Sequence, residues 1–234
     1  MENVEQRSRF KDLPWFGKYD QPISVLGCGG IGSWVVFFLT RAGFKVRVID
    51  NDEIEYHNIG GQLFSPTQIG MKKVDAIKKN VNYFSQEYVT ATCEFINYEN
   101  FVPTDIVISC FDNMQARKDA FTKWRDITME NQNSKSLFMD GRLNAEYYEI
   151  FSVPGDKPVR KDLYFNTDLF DDADVEDLPC TAKQTSHMAS SIASSMVTIL
   201  TNWITNNYSD SARRVVPYKI RHSGHMLLTQ KQMS

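Results

Sequence analysis

Six residues, Gly27-Cys28-Gly29-Gly30-Ile31-Gly32, follow a short β-branched run, Ile23 to Leu26, and open a long apolar stretch with helical spacing that begins at Ile31. Glycines at 27, 29 and 32 in a strand-loop-helix context match the dinucleotide-binding fingerprint. At such positions a side chain would block the tight turn, the close approach of backbone N–H groups to a phosphate, or the packing of helix on strand. The helix N-terminus then adds its partial positive charge. Asp50 ends the next apolar run about 20 residues later, where a carboxylate can accept both ribose hydroxyls. The loop therefore commits the chain to a Rossmann-like start and to a nucleotide, with Gly27, Gly29, Gly30, Gly32 and Asp50 around it. It does not choose among NAD, S-adenosylmethionine and ATP.

From about residue 22 to 140, short β-branched runs alternate with longer helical ones, which predicts βαβ units and a mainly parallel sheet. Strands are expected at Ile23 to Leu26, Lys45 to Ile49, Val89 to Phe95, Ile106 to Ser109 and Ser136 to Met139. Helices are expected from Ile31 to a C-cap at Gly43, over Thr67 to Phe84, and over Met114 to Glu130. Beyond Asp140 the pattern predicts a strand at Glu146 to Val153, then an acidic loop in which six of the ten residues from Asp168 to Asp177 are Asp or Glu. A helix follows over Ala182 to Asn207, dense in small residues that permit close packing, and antiparallel strands end the chain at Val215 to Arg221 and His225 to Thr229. The fold class expected is α/β, Rossmann-like, with a parallel sheet flanked by helices and antiparallel strands added at the C-terminus. The organisation expected is one domain over 1–234, with a nucleotide-binding core at 22–140 and a carboxylate- or carrier-side half at 141–234.

Bulk properties narrow the partners. A chain of 234 residues with 42% apolar content can build its own core. A formal net charge of −3 with both signs interspersed lacks the basic stripe that nucleic-acid binding requires. The sequence has no long apolar run, and its charged start (MENVEQRSRFKD) lacks the apolar segment of a signal peptide. The expectation is a cytoplasmic protein with no membrane and no nucleic-acid partner. Cys28, Cys93, Cys110 and Cys180 form no C-x-x-C pair that could hold zinc. The first three sit in or beside apolar, strand-like runs, as small buried thiols do.

The stretch after the second strand makes the choice of nucleotide. Asp50-Asn51-Asp52, then Asn58, Gln62 and Gly70-Met71-Lys72-Lys73-Val74, followed by Ile106 to Asn113 (IVISCFDN) with Arg117 behind it, resembles the ThiF/MoeB/HesA family of ubiquitin-activating-type adenylating enzymes. That family has a D-x-D, an Asn, an R-Q pair, a G-x-x-K-V and an apolar strand running into D-N. Four motifs stand in order over roughly residues 22 to 125, with weaker likeness to about 205. The chain is identified as a short, single-domain member of prokaryotic or phage type.

The resemblance implies ATP and magnesium (Mg2+) as cofactors and an adenylyltransferase activity on a carboxylate. Attack of a carboxylate on the α-phosphate brings two anions together, so the site must neutralise charge and hold the groups in line. Lys73 would supply charge to the phosphates, and Asp112 would hold Mg2+. Asn58, Gln62 and Asn113 would bond the nucleotide, with Asp50 and Asp52 facing the ribose. Gly61 stands where the family has the arginine of its R-Q pair. Arg9, with Arg7 beside it, resembles an N-terminal arginine that reaches the neighbouring subunit's ATP site, which implies a homodimer. Leu178-Pro179-Cys180-Thr181 resembles the P-x-C-T signature of the ubiquitin-activating cysteine, with Lys183 near enough to stabilise a thiolate and His187 to assist. The substrate so implied is the C-terminal carboxylate of a ubiquitin-like or sulfur-carrier protein, passed to Cys180 if that thiol acts. Arg142 is placed either to meet the incoming carboxylate or its tail, or to pair with Asp140 or an acid of the loop. The alternatives are a peptide or small-molecule carboxylate, an NAD-dependent oxidoreductase, and a binding module without catalysis.

Overall fold

A computed structural model describes residues 7–85, 89–170 and 184–233. In chain order the elements are β1 (Ile23–Leu26), α1 (Gly30–Ala42), β2 (Val46–Ile49), α2 (Lys73–Asn82), β3 (Val89–Thr92), β4 (Ile106–Ser109), α3 (Met114–Glu130), β5 (Leu137–Asn144), β6 (Tyr147–Pro154), α4 (Pro158–Leu163), α5 (Ser186–Tyr208), β7 (Lys219–Ser223) and β8 (Leu228–Gln232). The strands form one eight-stranded sheet in the order β3-β2-β1-β4-β5-β6-β7-β8. Pairing is parallel from β3 to β5 and antiparallel from β5 to β8. This is the expected α/β class, with the strand order reversing beside β1 so that the carboxyl ends of β1 and β4 frame a crevice.

The central strands β1 and β4 are buried at every residue because both faces are covered. Ile23, Val25, Ile106 and Ile108 lie in a core with α1, α2 and α5, whereas Leu26, Val107 and Phe138 face α3 on the other side. Helix α5 lies against α1 and the sheet, and its small residues Ala189 and Ala193 are fully buried there. The approach is close: a Cβ on Gly141 of β5 would fall 2.7 Å from the Met196 sulfur.

Two expected helices move. The one expected over 67–84 is a short 3-10 turn at Pro66–Gln68 followed by α2 from Lys73. Gly70 between them has φ +83°, a left-handed geometry that ends the turn and re-aims the chain. The one expected over 182–207 is described from Ser186, with Gln184 in an isolated bridge to Ala145. Strand β3 stops at Thr92, short of Phe95, and the last two strands lie two to four residues later than expected. Gly43 caps α1 as expected, at φ +94°, its N–H donating to Leu39 and Thr40 carbonyls.

Candidate active site

The crevice is built from the turn after β1. Gly27 has φ +86°, and a Cβ there would fall 2.9 Å from the Cys110 carbonyl oxygen, so the turn needs glycine both for its conformation and for the neighbouring strand end. Gly32 lets α1 settle onto the loop, because a Cβ would meet the Gly27 carbonyl oxygen at 1.9 Å. At Gly29 a Cβ would be accommodated, in ordinary contact with Gln62 Nε2 at 3.9 Å.

Asp50 follows β2 and ties the loop down. Its Oδ2 accepts the Cys28 N–H at 2.6 Å and its Oδ1 accepts the Asp52 N–H at 2.7 Å. Burial raises the Asp50 carboxyl above its ordinary value, opposed by the Cys28 N–H bond and by Lys73. Lys73, at the start of α2, is 7% exposed. Its ammonium pairs with Asp52 at 2.7 Å, and its N–H donates to the Asp52 carbonyl. The Asp52 side chain is 59% exposed, so this pair joins a buried cation to the crevice rim.

Asn58 and Gln62 are both buried. Asn58 Oδ1 accepts the Glu55 N–H in a local capping box, which fixes the loop and leaves its amide nitrogen directed by that bond. Gln62 Oε1 is buried without a hydrogen-bond partner. A desolvated amide oxygen costs on the order of 1–3 kcal/mol, the kind of cost found where a ligand completes the bonding.

At the end of β4, Asp112 is exposed on the turn into α3, and Asn113 is the N-cap, its side chain accepting the Ala116 N–H at 2.7 Å. The turn is held from behind. Arg117 donates to the Phe111 carbonyl and, at 3.0 Å, to Asp140 Oδ1. Asp140 is fully buried and also accepts Arg142 Nε at 2.7 Å and the Tyr164 hydroxyl at 2.9 Å. Burial alone would raise the Asp140 carboxyl, but the Arg117 and Arg142 guanidiniums outweigh it and hold it below its ordinary value. Of the two roles open to Arg142, the ion pair is the one present, though its Nη2 is buried and unpartnered.

Loop, Asp50, Asp52, Lys73 and Gln62 thus come together, with Asp112 on the adjoining β4 turn. Arg9 does not join them. It is exposed, two residues from Arg7, whose guanidinium bonds the Thr40 and Arg41 carbonyls at the C-terminal end of α1. The glycine loop lies at the other end of that 13-residue helix, about 20 Å away at 1.5 Å per residue. Cys180, Lys183 and most of the acidic loop lie outside the described residues. His187 is exposed in the first turn of α5. Cys28 and Cys110 are buried, as expected, and burial pushes both thiols up, whereas Cys93 is exposed. Among the described residues no three His, Cys, Asp or Glu side chains gather as a metal site. None of the described helices is long and apolar enough to cross a membrane. The residue that sequence reasoning passed over is Gln184, whose carboxamide lies on Gly30 and Gly61; it belongs to no motif, and only tertiary packing brings it to the loop.

Solved structures share this fold. A crystal structure of PaaA superposes with a TM-score of 0.76 at 18% identity, covering 99% of this chain and 73% of that one. E. coli MccB solved with ATP gives 0.71 at 17% identity, covering 94% and 66%. In sequence, ubiquitin-like modifier-activating enzyme 5 of Drosophila ananassae is 31% identical over 116 residues, which is 42% of this chain and 29% of that enzyme. The Culex quinquefasciatus enzyme is 35% identical over 113 residues, 41% and 28% of the two chains. The chain thus spans less than a third of the length of these curated relatives. The ThiF family profile, by contrast, matches residues 20–232, taking in the glycine loop, the Lys73 helix, the Asp112 turn and the antiparallel half alike. On that match, which extends over nearly the entire sequence, the chain belongs to the ThiF family.

Proposed function

We propose that the chain is an ATP-dependent adenylyltransferase that activates the C-terminal carboxylate of a ubiquitin-like or sulfur-carrier protein. The observation that carries this reading is the cradle itself: a glycine loop pinned by Asp50, a buried lysine, and an unpartnered Gln62 oxygen at the carboxyl ends of parallel strands. An NAD enzyme needs the loop and Asp50 but has no use for a buried Lys73 beside them. In this reading Asp50 and Asp52 face the ribose, while Asn58, Gln62 and Asn113 bond the nucleotide and Lys73 turns from Asp52 to the phosphates. A carboxylate oxygen of the carrier forms a bond to the α-phosphorus, and the bond to the bridging oxygen breaks to release pyrophosphate. Magnesium, which sits with one or two carboxylates and substrate phosphates rather than in an all-protein cage, would be held by Asp112 and would neutralise developing charge.

Arg9 serves a neighbouring copy's crevice in this reading, since it lies at the far end of α1 from its own, and a homodimer follows. Cys180 takes the acyl group from the adenylate as a thioester, with AMP leaving. A second reading, activation of a peptide carboxylate, is favoured by the likeness to MccB, which has been solved with MccA bound and covers 94% of this chain.

The test is exchange of labelled pyrophosphate into ATP with Mg2+ and a panel of carriers and peptides. Exchange that depends on a carrier, and that Asp112→Ala lowers by on the order of 100-fold or more, supports the main reading. Exchange driven only by peptides selects the second. Equal rates in the native chain and Asp112→Ala, across the whole panel, would leave neither standing.

A further inference from the structure

Gln184 reaches the glycine loop from an unrelated part of the chain. Its backbone is fixed by a parallel bridge to Ala145, immediately after β5. A Cβ built on Gly30 would fall 1.7 Å from Gln184 Oε1 and 2.8 Å from its carboxamide carbon. One built on Gly61 would fall 3.0 Å from Gln184 Cγ and 3.2 Å from both its amide carbon and Nε2. The carboxamide therefore fills a slot at the N-terminus of α1 that exists because positions 30 and 61 both lack side chains. The Trp34 indole N–H holds the Gly61 carbonyl at 3.3 Å, which keeps the slot's far wall in place.

Next to it stands the second carboxamide, Gln62, with its nitrogen beside Gly29 and its buried oxygen unpartnered. The donors beside the first turn of this 13-residue helix are thus Gln184 Nε2, on the Gly61 side, and Gln62 Nε2, near Gly29, while Gln184 Oε1 lies at Gly30. Among the described residues, the nearby Asp50 carboxylate is turned to the Cys28 and Asp52 N–H groups.

We infer that Gln184 is a phosphate-contacting residue of the nucleotide site, its Nε2 donating to the polyphosphate chain through the slot that Gly61 leaves open. This rests on the reading of the crevice as an ATP site. A neutral amide gives a weaker bond to phosphate than a guanidinium would, so the triphosphate is held with less charge assistance on this side and Lys73 carries more of it.

The inference is tested by titration calorimetry of the full chain with a non-hydrolysable ATP analogue and with adenosine. The proteins are the parent, Gln184→Ala, the near-isosteric Gln184→Glu, Gly61→Ala and the double variant. Gln184→Ala is expected to weaken the ATP analogue about three- to tenfold, the worth of one neutral hydrogen bond, while adenosine stays within about twofold. Gln184→Glu, which keeps the shape and puts an anion on the phosphates, is expected to weaken the analogue about ten- to a hundredfold. Gly61→Ala should weaken it too, and add nothing once Gln184 is alanine. An analogue bound equally well or more tightly by Gln184→Ala would overturn the inference, because the side chain would then only plug the loop. Equal losses for analogue and adenosine would also overturn it, by reducing Gln184 to a packing residue. A parent that binds adenosine or NAD but no ATP analogue overturns the ATP reading itself.

Discussion

Replacing Asp140 by alanine should be among the most damaging single changes in the molecule, for reasons local to β5. The carboxylate is fully buried and takes three donors, Arg117 Nε at 3.0 Å, Arg142 Nε at 2.7 Å and the Tyr164 hydroxyl at 2.9 Å. Both arginines are themselves nearly out of water, with side chains 8% and 12% exposed. Its removal leaves two guanidiniums desolvated with their counter-charge gone, a situation that costs about 3–5 kcal/mol. For a domain of this size that corresponds to a fall in Tm of about 6 to 20 °C, a large part of a typical 5–15 kcal/mol stability. Asp156→Ala is the control. Its pair with Lys157 is half-exposed on both sides, and such pairs contribute about 0–1 kcal/mol. The assay is urea unfolding at neutral pH, repeated toward acid. Because the arginines hold the folded-state value below 3.8, the contribution of Asp140 is fully present above about that pH and disappears as pH falls through the lower folded value. Asp140→Ala should flatten that part of the acid dependence. If Asp140→Ala were no more destabilising than Asp156→Ala, the idea that this buried network anchors the Asp112 turn would be refuted.

Other outcomes follow from the cradle. Lys73→Met keeps the buried stem of the side chain and removes its charge, so ATP-analogue affinity should drop about 10- to 100-fold by calorimetry, with AMP affected less; equal losses for both would place the lysine off the phosphates. Asp50 carries a raised carboxyl from burial, so the folded state keeps its proton to higher pH than the unfolded chain does. Nucleotide binding that needs the ionised form should therefore weaken on acidification while an ordinary carboxylate, at 3.8, would still be charged, and stability should ease downward as pH rises through the same window. Binding curves for Asp50→Asn should lose that pH dependence. Gly32→Ala sets a Cβ 1.9 Å from a backbone oxygen that cannot move aside, and thermal melting should show a loss of about 1–3 kcal/mol or more. A silent Gly32→Ala would mean the loop is looser than its contacts imply.

The parallel half was legible in the sequence because each central strand is a short β-branched run buried on both sides, and each crossover helix carries its own punctuation. Gly43 ends α1 where its position in the sequence predicts, and α3 runs over the expected Met114–Glu130. The helix expected from Thr67 failed for a local reason. Pro66 starts a single turn, and Gly70 in left-handed geometry then breaks the period, so apolar spacing alone runs past a break that backbone conformation enforces. At the crevice, spacing alone pointed to the glycine loop and Asp50, while Asp52, Lys73 and Gln62 came from the family resemblance; the fold brings all of them to one place. Sequence reasoning could not foresee that Asn58 and Asn113 accept backbone N–H groups in local caps, because an asparagine before a helix and one near a ligand look alike in one dimension. For Arg142 it offered the pair with Asp140 but not the Asp168 carbonyl or the Phe151 ring, which only tertiary packing supplies.

Strand β5 runs eight residues beside a β4 of four, and Ser109 at the end of β4 sits level with Asp140, only the fourth residue of β5. The remaining four, Gly141–Asn144, stay paired to β6 and so rise about 13 Å beyond the crevice floor at 3.3 Å per residue. The hairpin is thus a standing bank along one side of the cleft, stiffened by the antiparallel strands behind it.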